Sequence, residues 1–302
     1  MNNSTVIGVD LGGTAIKLGR FLRDGTCLES VSIPTPQPPI PEIVVKAIAT
    51  AVNRLNSDCS SIAIGFGVPG PTDTARRIAK KSINLEGWDD VPVADWLETQ
   101  TGLPTILEND ANCAGIGEVW LGVGRKFRNL ILLTLGTGVG GAIFIDGKLF
   151  TGRCGAAGEL GLITLDINGV PCRSGNQGSL EQHLSIGAIR RHTAKEPAEL
   201  GKLASLGDKE AKKFWLNYGK TLGAGLASLI YVLTPEAVII GGGVSASSKF
   251  FLPAAGQEIK KRVLSTSRPD LQLLPAQLGN KAGMLGAAKL AWDKLATIIN
   301  YQ

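Results

Sequence analysis

The stretch VIGVDLGGTAIKLGRFLRDGTCLES, Val6 to Ser30, decides the fold. An apolar, β-branched run meets a Gly-rich turn at Gly12-Gly13-Thr14. It leaves as a second apolar run and reaches Asp24-Gly25, a strong hairpin dipeptide. The reading is strand, turn, strand. A dinucleotide-binding fingerprint or a P-loop needs a helix directly after its glycines, and Gly12-Gly13-Thr14 has the spacing of neither.

The middle of the chain repeats the arrangement in NLILLTLGTGVGGAIFIDGKLFTG, Asn129 to Gly152. An apolar run again enters a Gly/Thr turn, leaves as a strand and turns at Asp146-Gly147. Leu11 to Asp24 is 13 residues and Leu135 to Asp146 is 11. This similarity predicts two related halves, each opening with a hairpin whose tight turn exposes backbone N–H groups. Two such turns facing each other would form a cleft for phosphates, because clustered amides make an anion-binding concavity. Either turn alone reads as an ordinary hairpin; the paired occurrence, with Thr beside Gly each time, favours the phosphate reading.

The intervening sequence fits an α/β fold of strands alternating with helices. SSIAIGFGVPGPTD reads as a buried strand ending in turn chemistry, and PTPQPPIP (Pro34 to Pro41) as a stiff extended loop. AKKFWLNYGKTLGAGLASLIYVLTP has helical periodicity with Pro235 as its stop. EAVIIGGGVS is a strand entering three glycines, and NKAGMLGAAKLAWDKLATII a closing helix. The expected division is an N-terminal domain over residues 1–115, joined by a C-terminal helix at about 287–302, and a larger domain over 116–286.

At 302 residues the chain is long enough for two moderate cores. With 44% hydrophobic and 19% charged residues it has globular composition. A net charge of +5 is too mild to argue for nucleic acid. The one basic cluster, ARRIAKKS (Ala75 to Ser82), reads as a solvated hairpin. Five dispersed cysteines without a C-x-x-C pair suggest reduced thiols. The N-terminus lacks the pattern of a signal peptide, and no stretch approaches the roughly 18 apolar residues of a membrane helix. A cytoplasmic protein is expected, with neither nucleic acid nor membrane as partner.

Five segments in order, VDLGGTAIK, LENDANCAG, LTLGTGVGGA, GAAGELG and VIIGGGVS, resemble the ROK family of sugar kinases, most closely its glucokinases. The resemblance runs from about residue 6 to 290. It implies an actin-like ATPase fold of duplicated ribonuclease-H-like domains, with ATP and sugar in the cleft between them. By that resemblance Asp10 holds Mg²⁺ through water, and Gly12, Gly13, Thr14 and Lys17 line the phosphate path. Thr137 and Gly138 meet the same phosphates, and Gly241, Gly242 and Gly243 pass close to the adenosine end.

Phosphoryl transfer depends on positioning and charge neutralisation more than on covalent chemistry. A sugar hydroxyl is a poor nucleophile at neutral pH, so a carboxylate must take its proton. In LENDANCAG a strand ends at Glu108 and a helix follows, which would hold Asp110 ionised at the helix's positive end. Alone, Asn109-Asp110 reads as a helix N-cap; the resemblance makes Asp110 the general base. Asn109 can donate to and accept from a sugar hydroxyl. Glu159 and Glu181 match sugar-binding carboxylates of the family, and Asn84 matches a sugar-binding asparagine; alone, Glu181 reads as a helix-start carboxylate. Such polar contacts discriminate strongly, because a missing hydroxyl leaves a desolvated partner.

GELGLITLDINGVPCRSGNQGSLE (Gly158 to Glu181) completes the picture. Most family members bind a tetrahedral zinc here through one histidine and three cysteines. This chain has Leu162, Cys172, Ser174 and Ser179 at those places, and neutral hydroxyls do not replace thiolates. A degenerate zinc motif without zinc is therefore expected, with Leu162 joining the core and His183 on the surface.

The expected activity is ATP-dependent phosphorylation of a hexose, glucose at O6 first, an early carbohydrate-phosphorylation step of the kind that feeds glycolysis. Fructose, mannose or an N-acetylhexosamine are alternative acceptors, and polyphosphate is an alternative donor with ARRIAKKS as its track. A sugar sensor without catalysis is the third reading, which intact Asp10, Lys17 and Asp110 oppose. The resemblance implies a homo-oligomer, dimer or tetramer.

Overall fold

A computed structural model describes residues 4–82 and 85–299, the side chains of the last four of these excepted. The described chain forms two compact units. The first holds residues 1–122, 151–157 and 281–302, and the second holds 123–150 and 158–280.

The first unit begins with β1 (Thr5–Leu11), β2 (Ala15–Phe21) and β3 (Cys27–Pro34). The hairpins fall where the Gly/Thr turn and Asp24-Gly25 place them, with Gly25 at a φ of 87°. Helix α1 (Pro41–Leu55) follows, opened by a proline whose missing N–H costs nothing there. Its Val44, Val45, Ile48, Val52 and Leu55 recur at helical spacing and are buried. Next come β4 (Ser61–Val68), the short pair β5 (Ala79–Lys81) and β6 (Asp89–Val91), helix α2 (Val93–Thr101), strand β7 (Thr105–Asn109) and helix α3 (Asp110–Trp120). The main sheet has the order β3-β2-β1-β4-β7. Strands β1, β2 and β3 pair antiparallel, while β4 and β7 run parallel to β1.

The second unit repeats that plan with β8 (Leu130–Leu135), β9 (Val139–Ile145) and β10 (Lys148–Leu149). The Asp146-Gly147 turn places both residues at positive φ, 53° and 78°, as a two-residue hairpin of this twist requires. Helices α4 (Leu180–Leu184), α5 (Ile186–Thr193), α6 (Pro197–Ser205) and α7 (Lys209–Leu233) precede β11 (Ala237–Gly241). Helix α8 (Ser248–Arg262) and strand β12 (Gln272–Pro275) complete the unit. The sheet order is β10-β9-β8-β11-β12, with the same succession of antiparallel and parallel pairs as in the first unit. The repeat expected from the two turns is thus a repeat of whole sheets.

Helix α7 is capped by Asp208, whose side chain accepts the Ala211 N–H, and ends at left-handed Thr234 just before Pro235. Between α7 and α8 Trp215 stacks on Phe251 and Tyr218 meets both edge-on, and the buried Tyr218 hydroxyl donates to the Leu184 carbonyl at 2.7 Å. After β12 the chain returns to the first unit as α9 (Ala282–Ile299). Among the described residues no helix is long and apolar enough to cross a membrane.

Candidate active site

In the first unit, register places Asp10 of β1 opposite Lys17 of β2, with Nζ 3.9 Å from Oδ2. Burial pushes the Asp10 carboxyl above the ordinary carboxylate range, and the Lys17 charge pulls against that shift. The adjoining turn is tied down by the Pro-rich segment, which does more than connect. The Thr35 N–H donates to the Thr14 carbonyl at 3.0 Å, and its hydroxyl donates to the Gly12 carbonyl at 2.7 Å. Gln37 Nε2 donates to the Gly13 carbonyl at 3.2 Å. Thr14 is exposed. A Cβ on Gly12 would sit 2.9 Å from the Ala15 carbonyl oxygen, whereas one on Gly13 would meet nothing within 4 Å. No internal packing requires glycine at 13.

The β7–α3 turn carries Asn109 and Asp110. Asn109 is the cap: its Oδ1 accepts the Asn112 N–H at 3.0 Å, and its Nδ2 donates to the Gly70 carbonyl at 3.2 Å. Asp110 is the first helical residue, with Oδ1 accepting the Ala111 N–H at 2.8 Å. The capping role that sequence alone allows Asp110 therefore belongs to its neighbour. Beneath the turn lies Glu108, only 1% exposed. Its Oε1 accepts the Asn109 N–H at 3.0 Å and the Asn112 Nδ2–H at 2.9 Å, and its Oε2 lies 3.2 Å from Arg76 Nη2.

The ARRIAKKS cluster runs into the exposed antiparallel pair of β5 and β6, and most of its cations have partners. Arg76 meets Glu108, Arg77 bridges Asp95 and Glu98, and Lys80 pairs with Asp90. Three of its four cations are thus paired with carboxylates, Lys80 with Asp90 at the exposed surface. Sequence reasoning missed Arg76 and Glu108; the available signal was a carboxylate at the end of an apolar strand. Asn84 lies outside the described residues.

In the second unit, three segments converge on the turn from Gly136 to Val139, the first residue of β9. Glu181 of α4 accepts the Val139 N–H on Oε2 at 3.0 Å, which fixes the Gly136-Thr137-Gly138 turn. The Gly136 carbonyl accepts the Ile186 N–H at 2.8 Å from the start of α5. Glu159 stands at the head of a single 3-10 turn, Leu160–Leu162, whose Gly161 lies so close that a Cβ would be 1.9 Å from the Val139 carbonyl oxygen. The GELG and GTGVGG segments are thus joined backbone to backbone. Much of Glu159 is open to solvent, yet the protein around it and the Glu181 charge both push its pKa upward. Thr137 is exposed at the turn's tip. In the glycine triplet Gly242 has a φ of 80° and would collide with the Leu135 backbone if it bore a side chain, while Gly243 faces open space.

The loop after GELG is held by a polar staple. Asn176 Nδ2 donates to the Leu162 carbonyl at 2.6 Å, and its Oδ1 meets the Thr164 hydroxyl at 3.1 Å. The Cys172 N–H donates to the Asn176 carbonyl at 2.7 Å, closing the turn. Leu162 does not join the core; it is half-buried, and the neighbouring Leu160, Ile163 and Leu165 pack there instead. His183 is likewise not a surface residue. It is half-buried, its Nε2 is sealed without a hydrogen-bond partner among the described residues, and burial lowers its pKa. Among the described residues no three His, Cys, Asp or Glu side chains stand together as a metal cage.

The sequence pattern of the ROK family matches residues 6–294. A glucokinase of Streptomyces coelicolor is 36% identical over 94% of this chain and 96% of its own length. A glucokinase of Thermotoga maritima is 32% identical over 96% of this chain and 98% of its own. Among solved structures, a ROK family glucokinase from Streptomyces griseus, crystallised with glucose and AMPPNP, superposes with a TM-score of 0.86 at 35% identity. That match covers 96% of this chain and 100% of the other, so the duplicated sheets are those of the actin-like ATPase fold. The chain belongs to the ROK family.

Proposed function

We propose that the protein is a sugar kinase that transfers a phosphoryl group from ATP to glucose at O6, with Asp110 as general base. The observation that carries this reading is the construction of the β7–α3 turn. Asn109 caps the helix, and Glu108 with Arg76 braces the turn from below. The fold thus keeps at the positive end of α3 a carboxylate that it does not use as the cap.

On this reading O6 loses its proton to Asp110 as its bond to phosphorus forms. Asn84, Asn109, Glu159 and Glu181 hold the remaining hydroxyls. The raised pKa of Glu159 supports this, because two neighbouring carboxylates gain from acceptor-to-hydroxyl hydrogen bonds. Gly12, Gly13, Thr14 and Lys17 line the phosphate path in the first unit, Thr137 and Gly138 in the second. Gly13 and Gly243 support it too: with no internal reason for glycine, they keep backbone clear for a ligand. Gly241, Gly242 and Gly243 pass the adenosine end.

A half-buried carboxylate whose nearest cation is 3.9 Å away suits a hydrated Mg²⁺, which takes one or two carboxylates, water and substrate phosphates. Held by Asp10 through water, it would neutralise charge on the phosphates. Polyphosphate as donor would need a free basic track, and the pairing of Arg76, Arg77 and Lys80 argues against one at ARRIAKKS.

The test is a phosphorylation assay across glucose, mannose, fructose and N-acetylhexosamines with MgATP or polyphosphate. Highest kcat/KM for glucose with MgATP is expected; turnover with polyphosphate alone overturns the donor, and a different best hexose the acceptor.

A further inference from the structure

Helix α9 lies so close to the first unit's other elements that four glycines are needed where backbones meet. A Cβ would fall 2.1 Å from the Met284 carbonyl oxygen at Gly8, 1.7 Å from that of Ala287 at Gly65, and 2.4 Å from that of Ala282 at Gly117. On α9 itself, a Cβ at Gly286 would fall 1.7 Å from the Cys113 carbonyl oxygen. Gly283 differs from these four. Its Cβ would meet a side chain, the carboxyl of Asp10, at 2.8 Å from Cγ and 2.9 Å from each oxygen.

Its φ is not in the left-handed region, so backbone conformation does not demand glycine. A helical glycine is less favourable than alanine by about 1 kcal/mol, and the space gained is filled by Asp10. Neither backbone can yield easily, because β1 is paired on both sides by β2 and β4 and α9 is held by the four contacts above. A methyl group at 283 must therefore turn the Asp10 side chain.

We infer that Gly283 is a positioning residue: its missing side chain seats the Asp10 carboxyl against the first turn of α9 and sets the orientation in which Asp10 serves the metal and phosphates. The inference rests on the role proposed for Asp10 and adds to it a residue on another element that makes that role possible. The helix's positive end beside the carboxylate works in the same sense as Lys17.

The experiment compares Gly283→Ala, Asp10→Ala and the double variant. Gly283→Ala should lower kcat at least about tenfold and weaken Mn²⁺ binding to the enzyme–nucleotide complex, read by electron paramagnetic resonance, by about as much. Glucose affinity without nucleotide should stay within about twofold. Gly283→Ala should lower the melting temperature in the wild-type background but not in Asp10→Ala, where the methyl enters vacated space. If the single variant fails to fold, the double variant must restore folding. Equal destabilisation in both backgrounds, or wild-type kcat and Mn²⁺ binding in Gly283→Ala, overturns the inference. Wild-type kcat and Mn²⁺ binding in Asp10→Ala would instead overturn the role given to Asp10.

Discussion

Glu159 carries a charge that its surroundings resist. Its folded pKa lies above the unfolded value, first through desolvation and then through Glu181. The native state therefore binds this proton more tightly than the unfolded chain does. The stability it contributes is present below the unfolded pKa, about 4.3, and is lost as pH rises through the folded value. Glu159→Gln should accordingly melt higher than the wild type at pH 7, with the difference shrinking toward pH 4, and should bind glucose more weakly. Melting scans across pH with a glucose titration check both; a pH-independent difference would contradict the account. The sequence marked Glu159 and Glu181 through their motif segments. Their shared anchorage at Val139 was not legible, since it depends on where α4 and a 3-10 turn dock against β9.

At the scale of elements, both glycine hairpins and the β7–α3 turn were readable, because Gly/Thr, Asp-Gly and Asn-Asp have local conformational preferences. What braces them was not. Arg76 reaches Glu108, and Thr35 and Gln37 reach Gly12 to Thr14, across distances that only the folded chain closes. The same blindness affected Leu162 and His183: hydrophobicity and polarity suggested core and surface, and docking of the loop made both half-buried. Arg76→Ala leaves the Glu108 carboxylate buried without its cation. A loss of about 1–3 kcal/mol is expected, measured by urea unfolding, together with a fall in kcat as the turn loosens. Arg77→Ala, whose pairs lie nearer the surface, should cost less and leave kcat unchanged. The reverse order would contradict a bracing role for Arg76.

At the scale of the whole molecule, the two turns in the sequence correctly announced two sheets of one topology. The close seating of α9 was hidden, because a glycine's letter does not reveal which backbone it will meet. Gly65→Ala should cost at least about 1–3 kcal/mol by overpacking, since its methyl would lie 1.7 Å from a carbonyl oxygen; urea unfolding reads it, and an unchanged midpoint would contradict the packing. The reaction itself is tested by phosphorus NMR of MgATP and glucose with wild-type enzyme and with Asp110→Asn. The wild type should form hexose 6-phosphate and ADP in equal amounts, and the variant, still folded and still binding glucose, should do so roughly 10²–10⁴-fold more slowly. Equal rates from the two proteins, or no sugar phosphate from the wild type, would contradict it.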